Sequence, residues 1–299
     1  MTLREELLDH LEPFLRFYAS DETWQGRWLA PAEAYEIQLI LDPQTDPASK
    51  QSNEAQLLED IRDLFQDLPL DINLLPDDDS ARRRKLLIAD MDSTIIQNEC
   101  IDEIAAHMGL GDRVSAITEA AMRGELDFEA ALKERVSLLK GLGEAALQEV
   151  FDERIKLMPG ARTLIQTMRA NGAFCALISG GFTFFTSRIA QQVGFDVHQA
   201  NTLDVENGKL SGTVATPILG RQAKLEALLR YREDLSLART DTLAIGDGAN
   251  DLAMIEAAGL GVAYRAKPVV AEKAQAAITH GDLTAILYLQ GFTRNEFVE

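Results

Sequence analysis

The chain has 299 residues, 46% of them hydrophobic and 26% charged, the proportions of a globular protein with a sizeable core. Its formal net charge of -19 sets it against nucleic acid and anionic membrane as partners, and no apolar run approaches the ~20 residues of a membrane span. Cys100 and Cys175 lie far apart and outside any CxxC pattern, which argues for free thiols rather than a disulfide framework or a zinc site. The acidic, amphipathic N-terminus lacks the basic and apolar regions of a signal peptide, so the expected location is cytoplasmic.

In chain order, a helical pattern runs from Leu3 to Phe17, followed by a strand-like AYEIQLIL at 34–41. A polar loop, DPQTDPASKQSN, precedes a helix from Glu54 to Leu68 and a short apolar piece, DINLL. These make residues 1–80 a small N-terminal α/β domain, which ends in the linker-like LLPDDDSARRRK. The basic run Arg82-Arg83-Arg84-Lys85 reads as a solvated entry to the next strand. From residue 81 to 299 the pattern changes: short apolar runs, LLIAD, FCALISGG, TLAIGDG and LGVAY, alternate with helices. Runs of this kind, buried on both faces, indicate a Rossmann-like parallel α/β sheet. Between the first two lies a mostly helical stretch, about 100–155, too long for one crossover and read as an inserted cap. Asn207-Gly208, inside TLDVENGKLSGTV, marks a two-residue hairpin.

Polar residues gather where these strands end. Asp90 and Asp92 close the first, Ser179-Gly180-Gly181 the second, and Gly246-Asp247-Gly248-Ala249-Asn250-Asp251 the third. Ligands of open α/β sheets collect outside the carboxyl ends of the strands, so the three ends aim at one point. Close carboxylates repel, and a hard cation held by oxygen, Mg²⁺ above all, relieves the repulsion between Asp90 and Asp247. An ionised Asp90 beside such a cation can attack phosphorus, while an Asp92 of raised pKa can pass a proton to the leaving group. Ser179, the neighbouring backbone amides and Lys224, in the helix RQAKLEALL, can stabilise the transferred phosphoryl group.

Asp90-Met91-Asp92-Ser93-Thr94, Ser179, Lys224 and GDGAND, in this order, resemble the four motifs of the haloacid dehalogenase-like hydrolase superfamily over roughly residues 85–290. Glu99, the cap run AMRGELDFEAALKERVSLLKGL and LISGGF with its hairpin are similar to the phosphoserine phosphatase family within it. The resemblance implies Asp90 as nucleophile, Asp92 as acid and base, and Mg²⁺ held by Asp90, the Asp92 backbone carbonyl and Asp247. It implies phosphate contacts from Ser179, Gly180 and Lys224, with Asn250 and Asp251 in support. Glu99 and Arg135 are implied to recognise the amino acid, with Met122 and Phe128 lining the cap pocket. A substrate with an ammonium and a carboxylate calls for one acid and one base away from the metal, which Glu99 and Arg135 supply.

The expectation is therefore Mg²⁺-dependent hydrolysis of O-phospho-L-serine through an aspartyl-phosphate, the last step of serine biosynthesis, with phosphoserine as small-molecule partner and a homodimer as a compatible assembly. Another phosphomonoester phosphatase or a phosphotransferase of the superfamily is the alternative enzyme. Some members carry ACT-type amino-acid-sensing domains where residues 1–80 stand here, so a degenerate domain of that type, or an amino-acid sensor built on a relic body, stays open.

Overall fold

The structure, a computed structural model, describes residues 10, 11, 13–16, 24–39, 47–76, 82–122 and 126–299, with side chains except at 47–52 and 119–122. The centre is a six-stranded, wholly parallel sheet in the order β10-β9-β8-β3-β4-β5. Its strands are β3 (Leu86–Ala89), β4 (Phe174–Phe182), β5 (Val197–Asn201), β8 (Thr242–Gly246), β9 (Leu260–Tyr264) and β10 (Ala276–Ile278). In β3, Leu87 and Ala89 enter one apolar cluster while Leu86 and Ile88 enter the other. A strand buried on both faces gains about 1.5–3 kcal/mol per large side chain, which is why the four apolar runs were readable as strands.

Helices cover both faces. Ala161–Ala170 (α6) and Thr183–Val193 (α7) contribute to the Leu87 side, and Arg221–Asp234 (α8) and Leu252–Ala257 (α9) to the Leu86 side. Between β3 and β4 stand Cys100–His107 (α2), Gly111–Met122 (α3), Phe128–Ser137 (α4) and Glu144–Arg154 (α5), the helical insertion expected at 100–155. Its two connections run side by side: Gln97 N–H donates to the Lys156 carbonyl and Met158 N–H to the Ile95 carbonyl. The hairpin β6 (Leu203–Glu206) and β7 (Lys209–Val214) turns at Asn207 and Gly208, both at positive φ, as an Asn-Gly turn requires.

Before the sheet, β1 (Trp24–Ala30) and β2 (Ala34–Leu39) form an antiparallel pair, followed by α1 (Pro47–Leu64). Two expectations need correction here. The polar stretch from Pro47 onward is helical rather than loop, because proline's fixed φ suits a first helical turn and Lys, Gln and Glu are good helix formers. The helix stops at Leu64 rather than Leu68, with Pro69 close behind. The helix expected over Leu3 to Phe17 lies largely outside the described residues, although 10, 11 and 13–16 are helical. Three strands went unread: β1 contains Gly26 and Arg27, β5 is polar (VHQAN) and β10 has only three residues.

The basic run at the entry to β3 is engaged rather than free. Arg82 pairs with Glu36, Arg83 with Glu296 at 2.7 Å and Lys85 with Asp241 at 2.9 Å, while Arg84 donates to the Thr240 carbonyl. Cys100 and Cys175 are buried free thiols.

Candidate active site

The sheet order fixes the floor of the site. β3 lies between β8 and β4, so its end, Asp90, faces the Asp247 loop on one side and the Ser179 end of β4 on the other. The Asp90 N–H continues the β3 to β8 ladder by donating to the Ile245 carbonyl. Oδ1 of Asp90 accepts from the Met91 N–H at 2.8 Å and from Lys224 Nζ at 2.7 Å. Among the described residues no donor reaches Oδ2. Lys224, in the first turn of α8, is 2% exposed and also meets Asp251 Oδ1 at 2.6 Å. Burial works against its charge, but Asp90 and Asp251 outweigh burial and raise its pKa, so it stays an ammonium.

The neighbouring acids are less well compensated. Burial, and then the charge of Asp251, push the Asp90 carboxyl well above the usual range, with Lys224 opposing. Burial and Asp251 likewise push Asp247 up to about 6, although Thr94 Oγ1 donates to its Oδ1 at 3.3 Å. Asp90, Asp247 and Asp251 bring one oxygen each within 4.8 Å of one another. One ammonium does not balance this group, and a set of hard oxygen donors around an uncompensated charge suits a divalent cation. Asp251 is committed to Lys224 and to the Gly248 N–H at 3.1 Å, so Asp90 and Asp247 are the carboxylates open to a metal.

Asp92 is turned away from that group. The backbone reverses at Ser93, whose φ of 55° lies in the left-handed region, and the side chain of Asp92 meets the start of α2. Its Oδ1 accepts from the Cys100 N–H at 2.8 Å and its Oδ2 from Ser179 Oγ at 3.2 Å. Burial raises its pKa despite these bonds, as a proton donor requires. Ser179 in turn accepts the Gly181 N–H at 2.8 Å, and a Cβ at Gly181 would lie 2.8 Å from Asp92 Oδ2, so glycine is needed there. Asn250 is half-buried with its side-chain oxygen against Gly248.

Glu99 and Phe128 stand beside this floor. Glu99 opens toward the cleft and accepts from Ser93 Oγ at 2.7 Å; burial of its carboxyl, then the charge of Asp92, push it up to about 7. Arg135, on α4, is half-buried, with Asp102, Glu99 and Asp92 contributing to its field. Among the described residues its guanidinium donates only to the Ala131 carbonyl at 3.3 Å and Thr118 Oγ1 at 3.5 Å. Phe128, which opens α4 behind the N-cap Asp127, is 40% exposed and lies against Gly180 and Gly220. Met122 closes α3, and its side chain lies outside the described part.

A family model described as haloacid dehalogenase-like hydrolase matches residues 87–256. The chain belongs to that family. It is 48% identical over 215 residues, 72% of its length, to a phosphoserine phosphatase of Streptomyces coelicolor, and spans about half, 52%, of that relative. Of solved structures, a HAD family hydrolase from Salmonella enterica serovar Typhi matches with a TM-score of 0.80 at 31% identity, over 94% of this chain and 93% of that one. A phospho-aspartyl intermediate analogue of phosphoserine phosphatase matches with a TM-score of 0.64 at 41% identity, over 69% of this chain and 98% of that one. As a haloacid dehalogenase-like hydrolase, the chain carries its acids at the strand ends, where the apolar runs pointed. Ser93 and Thr94 stand in the motif Asp90-Met91-Asp92-Ser93-Thr94 without a role assigned there, and the Cys100 N–H has no local sequence signal.

Proposed function

We propose that the chain hydrolyses O-phospho-L-serine to L-serine and phosphate, with Mg²⁺ as cofactor. The observation that carries this reading is the division of roles between two aspartates two residues apart. Asp90 is locked on one oxygen by Lys224 and Met91 and, among the described residues, open on the other, whereas Asp92 is turned to Ser179 and the Cys100 N–H. Asp90 Oδ2 attacks phosphorus, the bond from phosphorus to the serine oxygen breaks, and Asp92 delivers its proton to the departing alkoxide. Water then attacks the aspartyl-phosphate, Asp92 takes the proton back, and Asp90 is freed with release of phosphate. Asp90, Asp247 and the Asp92 backbone carbonyl would hold Mg²⁺, which when bound neutralises charge on the phosphoryl oxygens. Lys224, Ser179 and the Gly180 backbone hold the phosphate, supported by Asn250 and Asp251.

Glu99 receives the substrate ammonium and Arg135 its carboxylate, with Met122 and Phe128 walling the pocket. The similarity to phosphoserine phosphatases, one solved as a phospho-aspartyl analogue, supports both the substrate and the covalent step. The same reading places the chain at the last step of serine biosynthesis in the cytoplasm. It divides the chain into a small α/β unit at 1–80 and the phosphatase unit at 81–299, with a homodimer as the assembly that light scattering would check. No described helix is long and apolar enough to cross a membrane.

The test is phosphate release from phosphoserine with Mg²⁺ and with excess chelator. Metal-dependent turnover, faster than on phosphoethanolamine or phospholactate, is expected. Equal turnover of all three would overturn the substrate assignment, and undiminished turnover in chelator the cofactor.

A further inference from the structure

Asn201 ends β5 at the edge of the sheet and is 1% exposed. Its side chain joins two segments that both carry residues of the site. Nδ2 donates to the Gly180 carbonyl at 2.8 Å and to the Leu219 carbonyl at 3.1 Å, and Oδ1 accepts from the Leu219 N–H at 2.7 Å. Gly180 follows Ser179 in the irregular end of β4, the phosphate loop of the proposed site. Leu219 precedes Gly220, the N-cap of α8, whose first turn carries Lys224. Among the described residues no other side chain hydrogen-bonds to both segments.

The same two segments meet the cap. A Cβ at Gly180 would lie 3.4 Å from the ring of Phe128, and one at Gly220 would lie 3.2 Å from it. The ring therefore rests in a slot whose two walls are the peptides that Asn201 ties together. A primary amide is suited to this place because it offers two donors and an acceptor from one plane. A carboxylate would set acceptors against the carbonyls of Gly180 and Leu219.

We propose that Asn201 is a positioning residue that sets the spacing between the phosphate loop and the start of α8, and through that spacing the slot in which Phe128 seats. The proposal rests on the phosphatase reading of the site. It accounts for a buried polar side chain that hydrogen-bonds to backbone of Gly180 and Leu219 and to none of the carboxylates of the site, and it links the position of the cap to that of the phosphate.

The test is a kinetic double-mutant cycle on the full chain with Mg²⁺, using wild type, Asn201→Asp, Phe128→Ala and the double variant. Each is assayed on p-nitrophenyl phosphate and on phosphoserine, with circular dichroism and thermal melting alongside. If a shift approaching 1 Å in the phosphate loop follows, Asn201→Asp loses about 10²-fold in kcat/KM on both substrates while remaining folded. Because the slot is then already spoiled, adding Phe128→Ala lowers activity by no more than about threefold further, a non-additivity that a general loss of stability does not produce. Losses that multiply, or an Asn201→Asp variant within about threefold of wild type, overturn the proposal. If Asn201→Asp does not fold, Asn201→Ser, which keeps a short donor and acceptor, enters the same cycle with the same criteria. A wild type that hydrolyses p-nitrophenyl phosphate but not phosphoserine defeats the substrate assignment alone, because the cycle on p-nitrophenyl phosphate still reads Asn201.

Discussion

The floor of the site and the cap that faces it are built on opposite terms. On the floor, Asp90, Ser179, Lys224 and Asp251 are all at most 5% exposed, and each has a hydrogen-bond or ion-pair partner, at 2.7 Å between Lys224 and Asp90, 2.6 Å between Lys224 and Asp251 and 2.8 Å between the Gly181 N–H and Ser179. On the opposing side Phe128 is exposed, Glu99 is accessible as a residue although its carboxyl is partly desolvated, Arg135 is half-buried, and among the described residues the guanidinium hydrogen-bonds to a carbonyl and a hydroxyl rather than to an acid. The floor is held by the core whether or not substrate is present, which suits groups that must stabilise a transition state without reorganising. The cap-side groups are incomplete alone and would be completed by an ammonium and a carboxylate. On the proposed function, chemistry belongs to the sheet and selection to the cap, and mutations on the two sides should fail differently.

The largest effect should come from the floor. Asp90→Asn preserves shape but removes the proposed nucleophile and metal ligand, so turnover should fall by more than about 10³-fold on every phosphomonoester. Circular dichroism and melting should show a folded protein, since the amide avoids burying a repelled charge. A beryllium fluoride complex, which mimics the acyl phosphate, should form on wild type only. Activity above about a hundredth of wild type would remove Asp90 from the reaction.

Asp92→Asn should break the floor in a narrower way. The variant keeps the nucleophile but has no proton for the leaving group, so phosphoserine should lose about 10²–10⁴-fold in the first step. An aryl phosphate, whose leaving group departs without protonation, should lose far less in single-turnover formation of the phosphoenzyme. Equal losses on both esters would show that Asp92 is not the acid.

The sequence carried the floor more completely than the cap or the N-terminal unit, for a physical reason. A parallel strand buried on both faces has few polar residues until it reaches the site, so LLIAD and TLAIGDG announce both the strand and the acids at its end. β5 is an edge strand of mixed polarity, and Asn201 acts through contacts with Gly180 and Leu219, 21 and 18 residues away in sequence, which no local pattern encodes. The turn of Ser93 into the left-handed region, which points Asp92 at the start of α2, is likewise a tertiary outcome, since serine rarely adopts it unaided. In α1 the polar run after Pro47 reads as loop by composition, yet its residues tolerate a helix once Pro47 starts one.

On the cap, Arg135→Ala should cost about 2 kcal/mol in kcat/KM for phosphoserine, near the low end for a charge pair because the guanidinium is only half-buried. Phosphoethanolamine, which has no carboxylate, should be nearly unaffected. The difference between the two substrates is the measurement, because a fault in folding or metal binding would depress both. Agreement of the two losses within about threefold would leave Arg135 a surface charge of α4.

The smallest effect is one of pH, and it concerns the acid that stands between floor and cap. Burial and the charge of Asp92 push Glu99 up to about 7, and the Ser93 hydroxyl opposes the rise. Only the ionised carboxylate attracts the substrate ammonium. The fraction of free enzyme able to bind phosphoserine therefore grows as pH rises through about 7, and kcat/KM grows with it. From pH 6 to pH 8 the expected increase from this group is about tenfold. The phosphate of the substrate titrates at about 6 as well, so phospholactate, with the same phosphate and carboxylate but no amine, provides the profile to divide out. In Glu99→Gln the divided profile should become flat. In Ser93→Ala its midpoint should move upward, because the hydroxyl that favours the carboxylate is gone. A flat divided profile for wild type would mean that Glu99 does not read the ammonium and that the charge on the opposing side acts through Arg135 alone.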